Sequence, residues 1–185
     1  MPGSLVGGPA PFLRPAASPA AGRPRLTVRN LGVGDVRAKD LMGPVRVVRP
    51  EDPAGALVRA FQDPDVRAVA VVTEVGELVG ALSDEDMLTA ILPSYLLDDT
   101  ALAGVVDEHA AATLHRRLEG KRVKDLVEAT RREHPVVSPE DTLIEVAVAM
   151  CRSSDPAVLV VAERKVLGVI PVEVLLPSLL RSEAR

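Results

Sequence analysis

The chain has 185 residues, 47% of them hydrophobic, with 26 acidic and 22 basic side chains. That length suits one domain or two very small ones, and a net charge of -4 with 2% aromatic residues excludes the basic face and base-stacking platform of a general nucleic-acid binder. A single cysteine, Cys151, excludes an internal disulfide framework and a cysteine-based zinc site.

No apolar run reaches the roughly 18 residues that a membrane span needs, so no membrane insertion is expected and the composition points to the cytoplasm. Residues 1–30 hold six Pro, four Gly, five Ala and four Arg, with no acid. Such a stretch offers too little apolar burial to offset its ordering entropy and is expected to be a disordered tail. Without it, 18 basic residues face 26 acidic ones, a net of -8.

The remainder says the same thing twice. Ala38-Lys39-Asp40-Leu41-Met42 returns as Val123-Lys124-Asp125-Leu126-Val127. Val48-Arg49-Pro50-Glu51-Asp52 returns as Val137-Ser138-Pro139-Glu140-Asp141, and Val71-Val72 through Gly80 returns as Leu159-Val160-Val161 through Gly168. The offsets are 85, 89 and 88 residues, nearly constant, so one unit is duplicated and the duplication sets the architecture.

In chain order, each unit opens with a short extended segment, Val45–Arg49 and Pro135–Val137. A helix follows. In the second copy Ser138 is its expected N-cap, with Pro139 at the first helical position and Asp141 closing a capping box. Leu143, Ala147 and Met150 then form one face, as do Ala54, Leu57, Val58 and Phe61 in the first copy.

Two aliphatic strands come next, 68–73 and 77–82 in the first copy, patterned for a sheet covered on both faces. They turn at Val75-Gly76, and in the second copy at Glu163-Arg164. Closing helices begin near Asp84 and Glu173. Between the copies, residues 93–120 read as a helical connection with Leu102, Val105, Val106, Ala110, Thr113, Leu114 and Leu118 on its buried side, ended by Gly120. His109 and His115 stand six apart, which does not place two ligands on one helix face. The organisation expected is a tail, 1–30; a first motif, 34–92; a connector, 93–120; and a second motif, 121–181.

This order, with the Asp-Leu-Met lead-in, the Pro-Glu-Asp helix start and Gly80-Ala-Leu-Ser-Asp-Glu-Asp86, resembles a tandem CBS-domain protein, or Bateman module, over about residues 34–181. The resemblance implies an α+β fold of two βαββα motifs packed as a pseudo-twofold pair. It also implies a non-catalytic regulator that forms a homodimer, acts on a separate effector protein and binds an adenosine-containing ligand: AMP, ADP, ATP, S-adenosylmethionine or cyclic di-AMP.

The family's ligand signature, Gly-x-x-Thr/Ser-x-x-Asp, falls on Gly80, Ser83 and Asp86. By that resemblance Asp86 accepts the ribose hydroxyls, backbone near Val45, Arg46 and Val47 reads adenine, and Arg67, or less directly Arg46, meets phosphate. Gly80 permits close backbone approach, and Ser83 stands at a helix start that suits an anion. The same Ser83-x-x-Asp86 is also a plain capping box, which needs no ligand. The second copy has Pro171 and Val174 at the corresponding places, so at most one competent site is expected, with a ligand-free interaction module as the alternative. No cofactor, metal site or catalytic group is expected, and Cys151, after Met150 in an apolar helix, is expected to be a buried thiol.

Overall fold

The computed structural model describes residues 36–98, 114–130 and 132–180. The expected tail, the connector positions 102, 105, 106, 110 and 113, and His109 lie outside the described residues, as does the side chain of His115.

The first copy comprises helix α1 (Ala38–Leu41), strand β1 (Arg46–Val48), α2 (Gly55–Ala60), β2 (Ala68–Val72), β3 (Leu78–Ser83) and α3 (Asp84–Ile91), followed by α4 (Ser94–Asp98). A 3-10 turn, His115–Leu118, leads to Gly120, whose φ of 75° ends the connection as expected. The second copy comprises α5 (Val123–Thr130), β4 (Val136–Val137), α6 (Leu143–Ser153), β5 (Ala157–Ala162), β6 (Lys165–Pro171) and α7 (Val172–Leu180).

Each copy builds a three-stranded sheet, ordered β1-β2-β3 and β4-β5-β6, in which the first pair is parallel and the second antiparallel. The aliphatic strands alternate between two buried faces. In β2, Val69 and Val71 face the helices, while Ala70 joins Ala81 and Leu159 in a smaller cluster between the sheets. Val158 and Val160 of β5 face the second helical layer in the same way. Uninterrupted apolar strands are the sequence consequence of that double burial.

The lead-in helices cross over. Val123 and Leu126 of α5 are fully buried in the first copy's core with Leu57, Val69 and Leu82. Ala38 and Leu41 of α1 are buried in the second copy's core with Val146, Val158 and Ile170. Burying each of Val123, Leu126 and Leu41 contributes about 1.5–3 kcal/mol, so each core draws part of its stability from the other repeat.

The Pro-Glu-Asp segments are the docking platforms. Ala38 and Lys39 donate their amides to the carbonyls of Asp141 and Pro139, and Val123 and Lys124 donate theirs to Asp52 and Pro50. The side chains repeat the symmetry, with Lys39 on Glu140 at 2.7 Å and Lys124 on Glu51 at 2.9 Å.

This overturns Ser138 as a helix cap and Pro139 as a first helical residue. Asp141 does accept the Ser138 amide, at 2.8 Å, but it closes a turn. The carbonyls of Pro139 and Asp141 serve α1, and α6 begins later, at Leu143, capped by a reciprocal box of Thr142 and Glu145.

Two further expectations fail for reasons of helical phase. Val58 is 39% exposed, because α2 is short and directs Leu57 inward. Cys151 is exposed, because the buried stripe of α6 runs through Leu143, Val146 and Met150. The hairpin turns form where expected, with positive φ at Gly76 in one and at Glu163 and Arg164 in the other. The Arg164 carbonyl accepts the Leu78 amide at 2.8 Å, laying the second hairpin tip against the entry to β3.

Candidate functional site

Strand β3 delivers Gly80, Ser83 and Asp86 to one place, where the strand turns into α3. Ser83 is the N-cap. Its hydroxyl accepts the Asp86 amide, while Asp86 Oδ2 accepts both the Ser83 amide and the Ser83 hydroxyl, each at 2.7 Å. Both residues are buried, Ser83 at 1% exposure and Asp86 at 3%. The capping box expected from the spacing is therefore formed, inside the molecule rather than at its surface.

The second copy supplies what faces this box. The segment leading into β4 brings His134 Nε2 to 3.1 Å from Asp86 Oδ2, off the line of a straight N–H hydrogen bond, and Arg132 Nη1 to 3.9 Å from Oδ1. The other imidazole nitrogen, Nδ1, lies 3.5 Å from Oδ1 of Asp155, a carboxylate just before β5 whose side chain is 1% exposed. Arg132 also reaches Glu85 at 3.1 Å and Asp155 at 3.6 Å, and donates to the Ser153 carbonyl at 3.1 Å.

Burial pushes the Asp86 carboxyl up, but the adjoining His134 imidazole and the Ser83 hydroxyl and amide outweigh it and hold it down to about 2. Arg132 is held above its ordinary value, first by Glu85 and, against its burial, by Asp155 and Asp86. An ionised acid thus sits at the seam between the copies with a guanidinium and an imidazole beside it. Ser83 Oγ gives its proton to that acid and not to an imidazole, so the box contains no base-activated nucleophile.

The remaining sequence candidates are placed differently. Val45, Arg46 and Val47 lie at β1, on the opposite side of β2 from Ser83. Val45 packs between the sheets, Arg46 pairs with Asp63 at 3.2 Å, and Val47 is exposed. Arg67 bridges Asp84 at 3.5 Å and Glu173 at 3.2 Å, joining the starts of the two closing helices. Above Gly80 stands Val127 of α5, whose Cγ1 would lie 2.8 Å from an added Cβ. At the matching Gly168 the Gly43 carbonyl oxygen would lie at 2.6 Å, so both signature glycines admit the exchanged lead-in segments.

Pro171 and Val174 put no polar box at α7. Sequence reasoning passed over Arg132, His134 and Asp155. The signal for the last two was a polar residue directly before a proline, His134-Pro135 and Asp155-Pro156, where a buried aliphatic strand begins. Two hollows open elsewhere, one of about 670 Å³ lined by Pro53, Val58, Arg59, Leu118 and Lys121 among others, and one of about 480 Å³ lined by Leu78, Val136, Val161 and Arg164 among others. Ser83 and Asp86 line neither of these two. Among the described residues no group of His, Cys, Asp and Glu is arranged to hold a metal ion.

A family model, the CBS domain, matches residues 33–93. A CBS domain-containing protein of unknown function from Kribbella flavida is 30% identical, with a TM-score of 0.62 over 78% of this chain and 98% of that one. The chain belongs to the CBS-domain family. Its two repeats are a tandem pair of CBS motifs in an α+β fold.

The CBS-pair protein CBSX2 from Arabidopsis thaliana has the same fold at 21% identity, with a TM-score of 0.62 over 80% of this chain and 97% of that one. A structure of CBSX2 in complex with AMP matches at 21% identity, with a TM-score of 0.55 over 78% and 96% of the respective chains. No curated protein matches this sequence. No described helix is long and apolar enough to cross a membrane.

Proposed function

We propose that this CBS pair is a regulatory, non-catalytic sensor of an adenosine-containing ligand of the AMP, ADP or ATP class. It binds that ligand through one site in its first motif and relays occupancy to a separate effector protein, as a cytoplasmic homodimer. The observation that carries this reading is the state of Asp86: Oδ2 accepts two hydrogen bonds from Ser83 and lies 3.1 Å from His134 Nε2, whereas among the described residues Oδ1 meets only Arg132, at 3.9 Å. An ionised carboxylate with one oxygen uncommitted suits a pair of ribose hydroxyls. Arg132, which stands beside the uncommitted Oδ1 of Asp86, is placed to meet the phosphate of the same ligand, whereas Arg67 bridges Asp84 and Glu173. Withdrawing Arg132 from Glu85 would open the approach and turn the guanidinium toward an anion. That CBSX2 has been captured with AMP supports the ligand class.

The other reading, a ligand-free assembly module, draws on a different observation. Ile144 and Val148 on α6 and Val172, Leu176 and Leu180 on α7 are exposed, giving two neighbouring helices apolar outer stripes suited to a second copy or a partner protein.

Thermal melting with AMP, ADP, ATP, S-adenosylmethionine and cyclic di-AMP separates the two. A specific ligand at 100 times its Kd adds about 2.7 kcal/mol, a rise of about 5–10 °C for a chain of this size. Arg132→Gln should reduce the rise and Val174→Ala should leave it intact. A flat response to all five leaves the assembly reading, and light scattering then reports whether the chain is dimeric.

A further inference from the structure

We infer that His134 is a protonation-dependent strut between the two CBS motifs, an acid-closed contact that operates whether or not a nucleotide binds. Its imidazole is enclosed, with 7% of the side chain exposed, and stands between two carboxylates that are themselves enclosed. Nε2 faces Asp86 of the first motif at 3.1 Å and Nδ1 faces Asp155 of the second at 3.5 Å. Only the imidazolium carries a proton on both nitrogens; neutral imidazole must turn a lone pair toward one of the two acids.

The charges around the ring give the same answer. From α3 come Asp86 and, beyond it, Glu85; from the turn before β5 comes Asp155; from the ring's own segment come Arg132 and the exposed Glu133. Glu85 engages Arg132 from the solvent side. Asp86 and Asp155 then share one guanidinium that approaches no closer than 3.9 and 3.6 Å, and neither Asp155 oxygen has a hydrogen-bond donor in place. With neutral His134, two buried anions face one cation. With His134 charged, the two buried anions face two cations, and buried charges that are paired are far less costly than an unpaired one.

Histidine is the side chain that ordinarily changes charge in the physiological range. A contact that requires the imidazolium forms at lower pH and is lost as pH rises. Loss of the proton loosens Asp86 from the second motif, and with it the seam that joins the copies.

The test needs no ligand. Melting temperatures of the wild type, His134→Gln and Asp155→Asn are compared at about pH 6 and about pH 8.5, a span that brackets histidine titration. The wild type should lose about 3–6 °C more than His134→Gln across that span. Asp155→Asn, whose amide can donate to a neutral ring, should flatten the dependence. Nitrogen-15 spectra of the wild-type imidazoles, independent of any variant's folding, should show His134 protonated on both nitrogens at about pH 6. An equal loss in His134→Gln, or a neutral tautomer at that pH, overturns the inference.

Discussion

In the first motif the side-chain box stands at the closing helix, where Ser83 and Asp86 cap α3, while α2 begins at Ala54 with no side-chain cap. In the second motif the box stands at the other helix, where Thr142 and Glu145 cap α6, and the closing helix α7 follows Pro171 with Val174 in the place of Asp86. Either helix can thus be started with or without a polar cap, so the fold itself does not demand Ser83 and Asp86. What sets them apart is their surroundings. Glu145 lies at the surface, whereas Asp86 is enclosed and faces basic groups from the other motif. A cap that only starts a helix has no need of either condition.

The sharpest way to break that contrast is Asp86→Ala. It removes the cap and the first-motif acid that His134 faces, leaving Arg132 only Glu85 from that motif, at a cost of about 3 kcal/mol by urea denaturation. The acid limb of stability has the same origin. Because the folded carboxyl is held down to about 2 from an ordinary 3.8, its contribution is present above that ordinary value and is lost as pH falls toward 2. The loss amounts to about 2 kcal/mol, and Asp86→Asn should abolish that limb. A variant with wild-type acid sensitivity would show that Asp86 is an ordinary cap.

A second comparison sets Gly168→Ala against Gly80→Ala. Both add a methyl group into occupied space, at a cost of about 1–3 kcal/mol. The first meets the Gly43 backbone oxygen and the second a Val127 methyl, so Gly168→Ala should be the more destabilising. Equal costs would mean that the lead-in segments yield alike. The smallest effect is expected from Thr142→Ala, about 1 kcal/mol by the same measurement, with no change in the acid limb attributed to Asp86.

Much of this was legible. The repeat at nearly constant offset revealed two units, and unbroken Val, Leu and Ala runs revealed strands with two buried faces, because only a doubly covered sheet tolerates such runs. Ser83 and Asp86 were legible as a box. The crossing of α1 and α5 was not, since the repeated Lys-Asp-Leu marks a lead-in but says neither that it is helical nor whose core receives its leucine.

The misplaced cap at Ser138 has the same root. Ser138-x-x-Asp141 and Thr142-x-x-Glu145 are overlapping patterns of nearly equal quality, and the choice between them is made by the carbonyls that α1 requires. His134 was invisible because a lone histidine carries no spacing, and its meaning comes from Asp86 and Asp155, 48 residues before it and 21 after it.

The exchange of lead-in helices has a consequence for any attempt to divide the molecule. A chain severed in its connector would leave α1 on the fragment that lacks the core it fills, and α5 likewise on the other. Each fragment alone would expose a gap the size of a helix turn, whereas a mixture of the two would restore both cores through the amides that Ala38, Lys39, Val123 and Lys124 lend across the seam. The tandem pair is thus a single cooperative object, mutually threaded, rather than two modules on a string.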